Sequence, residues 1–423
     1  MKEMETFQYY QTDNELDLYI CKNKKFKTNL IQMIILCQLN EEDASSNALI
    51  PFILYRGSKN YPSSRAFKIE LEELYGAELS VSVWKRGEIQ LLNFSLEIVN
   101  EKYLPTDELL LEKGLALLKD LLLNPLFTEE FFQQEKEFII KEIKSIINDK
   151  YSYSLNRCFQ EMCAGEPFSI YKLGRIEDHE KLSRDQVFQQ YQEVIKNNRI
   201  LFFVIGDVDE KRVYEKINNS FNFRHQVVKD YNNTIIINDV KGIKELEERL
   251  NVQQGKIVLG FRTGITRKDD LYYPLLMYNG ILGAFPHSKL FQNVREKESL
   301  AYYASSSLES TKGLLLITAG IDFANYDKTR DIILKELEKM RQGDFTEEEF
   351  QWTMKSLINS FESTADNNRG LLAHYLLGVI NHKTETIKDS IDELGKVKKE
   401  DIIRVGEKLQ LDTIYFLNKK VTE

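Results

Sequence analysis

Dense runs of β-branched and aromatic residues divide the chain into strand-like segments separated by helical ones. "LIQMIILCQL" (30–39), "AELSVSVWKRGEIQLLNFSLEI" (77–98) and "ILFFVIGDV" (200–208) predict strands, and the polar "WKRGEIQ" inside the second predicts a hairpin turn. "SRAFKIELEELYGA" (64–77) predicts a helix stopped at Gly76. "TEEFFQQEKEFIIKEIKSIINDKY" (128–151) places apolar residues at three- and four-residue spacing and predicts one long helix. Strands grouped between paired helices indicate an α+β fold, each half a mostly antiparallel sheet with helices packed largely on one face.

The halves repeat one plan. "FTEEFFQQEKEFIIKEIKSI" begins at Phe127 and "FTEEEFQWTMKSLINSF" at Phe345, an offset of 345 − 127 = 218. Each follows an amphipathic segment, "LLEKGLALLKDLLL" in the first half and "TRDIILKELEKMR" in the second. "TNLIQMIILC" from Thr28 matches "VQQGKIVLGF" from Val252, an offset of 252 − 28 = 224. Aligning Asp185 with Asp401 matches a third pair at an offset of 401 − 185 = 216. Three matched segments in one order indicate duplication. The division read from this is an N-terminal domain over 1–222, a polar linker over 223–250 with "TIIIN" as its one strand-like piece, and a homologous domain over 251–423.

Composition narrows the function. The 423 residues are 42% hydrophobic and 29% charged, so a large core can be buried and a globular chain is expected. A formal net charge of −9 argues against nucleic acid or an anionic membrane as the main partner. No signal-peptide pattern and no membrane-span-length apolar run is found, which makes the cytoplasm the expected location. Cys21, Cys37, Cys158 and Cys163 form no CxxC and read as buried apolar thiols. The five histidines, His179, His225, His287, His374 and His382, show no ligand spacing. His374 and His382, eight apart, lie just over two helical turns from each other, too far to clasp one ion.

Several motifs in order carry a family resemblance: "LYRGSKNYPS", "EKEFIIKEI", "LGRIEDHEKLSRDQVFQQYQEV…FFVIGDVD" and "LFQNVREKESLAYY". The chain resembles the insulinase-type (pitrilysin) metallopeptidases, in particular the short-chain branch with mitochondrial processing peptidase, and the resemblance covers nearly the whole chain. That family binds zinc with HxxEH on a helix and a distant Glu, the inner Glu acting as general base. Anchoring on Gly57 puts Ala48, Pro51 and Phe52 at the three HxxEH positions. Methyl, pyrrolidine and phenyl groups offer zinc no lone pair. Pro51 disfavours a helix interior, so the helix is expected to begin near Leu49 or Ile50, or to kink there. Glu142 matches the distant ligand, at a longer interval than the family usually shows.

The resemblance also implies what is retained. An Arg and a Tyr seven residues apart in the family's second half hydrogen-bond the substrate carbonyl, and Arg295 and Tyr302 match them. Gly280 and Gly283 in "NGILGAFPHSKLF" would let backbone approach an extended peptide. Ser299 replaces the family's usual Gly before "LAY". The implied function is a non-catalytic subunit of a heterodimeric zinc peptidase. It would need no cofactor of its own, and a homologous partner with intact HxxEH would carry the zinc. The alternatives are an inert peptide-binding or structural scaffold of the same fold, and an autonomous peptidase with an unconventional site.

Overall fold

The structure is a computed structural model and describes residues 6–222, 231 and 233–420. Six strands build the first sheet: β1 (Gln8–Gln11), β2 (Asp17–Lys22), β3 (Thr28–Gln38), β4 (Glu78–Arg86), β5 (Ile89–Val99) and β6 (Ile200–Gly206). Their order is β1-β2-β6-β3-β5-β4, and only β2 and β6 are parallel. The helices in chain order are α1 (Ala44–Leu54), α2 (Ser64–Glu73), α3 (Leu110–Leu123), α4 (Glu129–Ser145), α5 (Lys150–Met162), α6 (Ile176–Lys181), α7 (Arg184–Asn197) and α8 (Glu210–Ser220). Alternation decides which strand residues meet them. Ile31, Met33 and Ile35 of β3 and Leu92, Phe94 and Leu96 of β5 share one core with Leu49 and Ile53 of α1, Leu117 and Leu121 of α3, and Val187 and Val194 of α7.

The second sheet is built from β7 (Lys244–Leu250), β8 (Gly255–Arg262), β9 (Ala301–Glu309), β10 (Leu314–Ile321) and β11 (Gln410–Lys419), in the order β7-β11-β8-β10-β9. Its helices are α9 (Tyr272–Asn279), α10 (Tyr326–Arg341), α11 (Glu347–Ala365), α12 (Asn368–Ile380), α13 (Ile387–Leu394) and α14 (Lys399–Lys408). Read strand for strand, β2-β6-β3-β5-β4 and β7-β11-β8-β10-β9 have the same order and the same parallel and antiparallel senses. The duplication in the sequence is thus a duplication of topology. Among the described residues, only β1 lacks a counterpart.

Four expectations need correction. Compact units do not follow the linear division: Ser145–Ser169 groups with the second unit and Asn367–Ala373 with the first. Helix α5 puts Cys158, Tyr153 and Phe159 against Val258, Leu316 and Tyr415. An amphipathic face does not reveal which sheet it will meet.

The segment expected as a linker contains β7, whose "KELEERL" lies at the sheet edge with four of its five charges exposed. "TIIIN" (234–238) forms no strand; the carbonyls of Ile235 and Ile237 accept from Lys312 Nζ at 2.6 Å and Arg262 Nη1 at 3.1 Å. The expected helix over 128–151 ends at Ser145, because Asp149 caps α5 by accepting from the N–H groups of Tyr151 and Ser152. Helix α1 begins at Ala44 and runs through Pro51. A preceding turn starts it, with Asn40 Oδ1 accepting from Asp43 N–H at 2.8 Å. Burial of ten of its eleven residues outweighs the proline's cost of about 3 kcal/mol.

Candidate functional site

Helix α1 carries the residues that the sequence aligned with the zinc motif. Ala48 and Pro51 are buried, while Phe52 is half-buried. The Phe52 ring packs on Phe138 of α4, 5.9 Å between centroids. Phe138 stands one helical turn before Glu142, so α1 faces α4 close to the residue the sequence matched to the distant ligand. Glu142 is exposed and lies in the electrostatic neighbourhood of Tyr171 and Lys172. Burial, with Arg86 beside it, lowers the Lys172 pKa, and Glu142 opposes that shift. Burial first, then Glu142, raises the Tyr171 phenol.

These residues do not fit the family's zinc. A methyl, a proline ring and a phenyl packed on another phenyl offer no ligand atoms. Among the described residues, no group of three His, Cys, Asp or Glu is arranged for a metal. The histidines serve locally. His179 is fully buried and bonds the Leu173 carbonyl at 2.6 Å, His287 pairs with Thr353 Oγ1 at 2.9 Å, and His374 pairs with the Glu385 carbonyl at 3.1 Å. His382 sits at a turn with φ 51°. His225 lies outside the described residues. All four cysteines are buried thiols, and none is in a disulfide.

The frame around the missing ligands is nevertheless well built. The turn after α1 brings Ser58 and Asn60, and the C-terminus of α3 brings Asn124, onto one buried carboxylate, Asp120 of α3. Asn60 Nδ2 donates to it at 2.7 Å and Asn124 Nδ2 at 2.9 Å, and the Ser58 hydroxyl donates to the other oxygen. Gly57 is required there, since a Cβ would stand 2.6 Å from the Tyr61 carbonyl oxygen. Arg56 forms an ion pair with Glu135 of α4. Burial raises the Glu135 pKa even though Arg56 favours its charge. Asp120 and Glu135 were not foreseen, because a helical acid reads as a solvated one until its partners from distant segments are known.

The stretch holding Arg295 and Tyr302 is presented differently. After α9, the chain winds with a π-helical pitch over Gly280–Ala284 and again over Phe291–Lys297. Arg295 lies in the second stretch with its side chain 42% exposed, its guanidinium 4.6 Å from the Phe291 ring centroid and 3.7 Å from Glu296. The helix closes when Leu300 N–H reaches the Val294 carbonyl at 3.1 Å, with Ser299 in the left-handed region at φ 51°. The next turn of chain enters β9. Its pairing with β10 passes from Tyr303 opposite Gly320 to Ala301 opposite Ile321, so Tyr302 is the extra residue of a β-bulge. Tyr302 is 63% exposed, and its hydroxyl donates to Asp322 Oδ1 at 3.3 Å. No sequence signal pointed to Asp322.

Gly280 and Gly283 are corrected. Both are buried, and the space their missing Cβ atoms leave is filled by this chain: a Cβ on Gly280 would stand 2.4 Å from Thr353 Cγ2, and one on Gly283 would stand 2.6 Å from the Ser306 backbone nitrogen and hydroxyl. They permit close approach of α11 and β9, not of a peptide. Ser306 fixes that approach by donating to Asn279 Oδ1 at 2.7 Å.

Comparison with known proteins agrees with this picture. The family model described as the peptidase M16 inactive domain matches residues 181–357. The chain is 38% identical, over 95% of its own length and 95% of the relative's, to a Bacillus subtilis (strain 168) protein named "Probable inactive metalloprotease YmfF". The chain belongs to the M16, insulinase-type peptidase family. A conserved protein from Enterococcus faecalis V583 superposes on this M16 chain with a TM-score of 0.91 at 30% identity, covering 99% of this chain and 100% of the other. The peptidase M16 inactive domain from Pseudomonas fluorescens has the same fold, with a TM-score of 0.81 at 14% identity over 99% of each chain. This M16 chain is thus a homologue of inactive members of the family. Among its described residues, no helix is long and apolar enough to cross a membrane.

Proposed function

We propose that this chain is the non-catalytic member of a two-chain M16 zinc peptidase. Its mate would be a homologue with intact HxxEH, which supplies the zinc, its ligands and the general base. This chain would contribute Arg295, Tyr302 and the free edge of β9 to a chamber that takes peptides. The observation that carries the reading is the placement of Tyr302. A core or strand aromatic would be buried in regular pairing, whereas this phenol is turned out by a bulge and spends its proton on a single 3.3 Å bond. A phenol and a guanidinium held in that way can be redirected to a developing oxyanion. Ala48, Pro51 and Phe52 support the other half of the reading, that cleavage does not originate here.

The test is mixing. The chain alone should not hydrolyse peptides, and the chain with an intact M16 homologue from the same organism should. A pair that forms but cleaves no peptide would favour the second reading, an inert scaffold or peptide-binding protein. The closure of Gly280 and Gly283 by Thr353 and Ser306 favours that second reading.

A further inference from the structure

The two sheets differ at one edge. In the first, β2 is flanked on both sides, with β6 parallel to it and β1 antiparallel, Tyr9 lying opposite Tyr19. In the second, β7 pairs in parallel with β11, and none of the described residues forms a strand on its other side. Register identifies the equivalent positions. Met33 pairs with Phe202 as Ile257 pairs with Phe416. Leu18 pairs with Phe202 as Glu247 pairs with Phe416. Leu18, Tyr19 and Ile20 therefore correspond to Glu247, Glu248 and Arg249. The stretch that β1 covers on β2 is the stretch left open on β7.

The open strand is complementary to itself. Lys244, Glu245, Glu247 and Arg249 are exposed, with both signs present. Laid antiparallel on an identical strand with Glu248 at the centre, Glu247 faces Arg249 twice and Leu246 faces Leu250 twice. Within the chain Glu247 and Arg249 already pair at 2.7 Å, which places them on the same face. Glu248, on the opposite face, accepts from Tyr153 and from Tyr415 at 2.8 Å, and pairs with Arg157 at 3.3 Å. The central position therefore brings in a carboxylate that is already neutralised.

We propose that β7 is the surface on which a second copy of this chain docks, the two five-stranded sheets joining edge to edge across a two-fold axis. The axis makes the two β7 strands antiparallel, the sense in which β1 lies on β2. This inference stands apart from the proposed peptidase partnership, since it uses neither Arg295 nor Tyr302.

Sedimentation of the full chain from micromolar to submillimolar concentration should show a reversible step from 49.6 kDa to twice that mass. Glu247→Arg alone, or Arg249→Glu alone, sets like charges opposite each other twice and should weaken association about tenfold. The double variant E247R/R249E restores opposite charges and should recover association. Unchanged melting of each variant shows that the fold is intact. A chain that stays monomeric throughout, a dimer indifferent to both single reversals, or a double variant that does not recover overturns the proposal.

Discussion

The Phe52 ring of α1 lies 5.9 Å from the Phe138 ring of α4, tilted by 56°. An aromatic pair thus joins α1 and α4. The account predicts that the pair is coupled. In a double-mutant cycle of Phe52→Ala and Phe138→Ala, urea unfolding should give a coupling energy of about 0.5–1.5 kcal/mol. Strictly additive losses would mean that the rings are neighbours without being partners.

Asp120 organises the turn after α1. It collects bonds from Ser58, Asn60 and Asn124 while buried. Asp120→Ala leaves three donors without their acceptor and should cost about 2–4 kcal/mol in urea unfolding. A loss below about 0.5 kcal/mol would place the turn's stability elsewhere.

Ser299 occupies a left-handed conformation at φ 51°. A Cβ is unfavourable there, and glycine is the residue that escapes the penalty. Ser299→Gly should stabilise the protein by about 0.5–1 kcal/mol, less whatever the more flexible unfolded chain takes back. The melting temperature checks the sign, and a fall would show that the Ser299 side chain has a compensating role.

His374 sets a pH dependence. Burial, then the Arg267 guanidinium beside it, pushes its pKa down from 6.5 to about 4. The folded chain therefore holds this ring neutral, while the unfolded chain takes up the proton as pH falls below 6.5. Stability from this group is present above pH 6.5 and is lost as pH falls towards 4, by on the order of 3 kcal/mol in all. His374→Gln should flatten the slope of unfolding free energy against pH across that window. An unchanged slope would assign the acid sensitivity to other groups.

The sequence made the inner strands legible because β3, β5 and β6 are apolar enough to be strands in any context. It hid β7, whose seven residues include five charges, because an edge strand with exposed side chains looks like a linker. It misplaced the start of α1 because Pro51 was weighed without the burial that overrides it. It could not assign α5, since only tertiary packing decides which sheet an amphipathic helix covers. At the candidate site, the sequence showed that Ala48, Pro51 and Phe52 carry no ligand atoms. It did not show the roles of Glu135, Asp120 and Asp322, because each gains its meaning from a partner far along the chain or across a turn.

The most direct test of the central proposal is peptide hydrolysis by this chain mixed with an M16 homologue that keeps HxxEH. Variants in this chain alone are then compared. Arg295→Ala and Tyr302→Phe should each lower kcat/KM by about tenfold or more, with assembly of the pair unchanged. Full activity in both variants would contradict the shared site and leave this chain a scaffold.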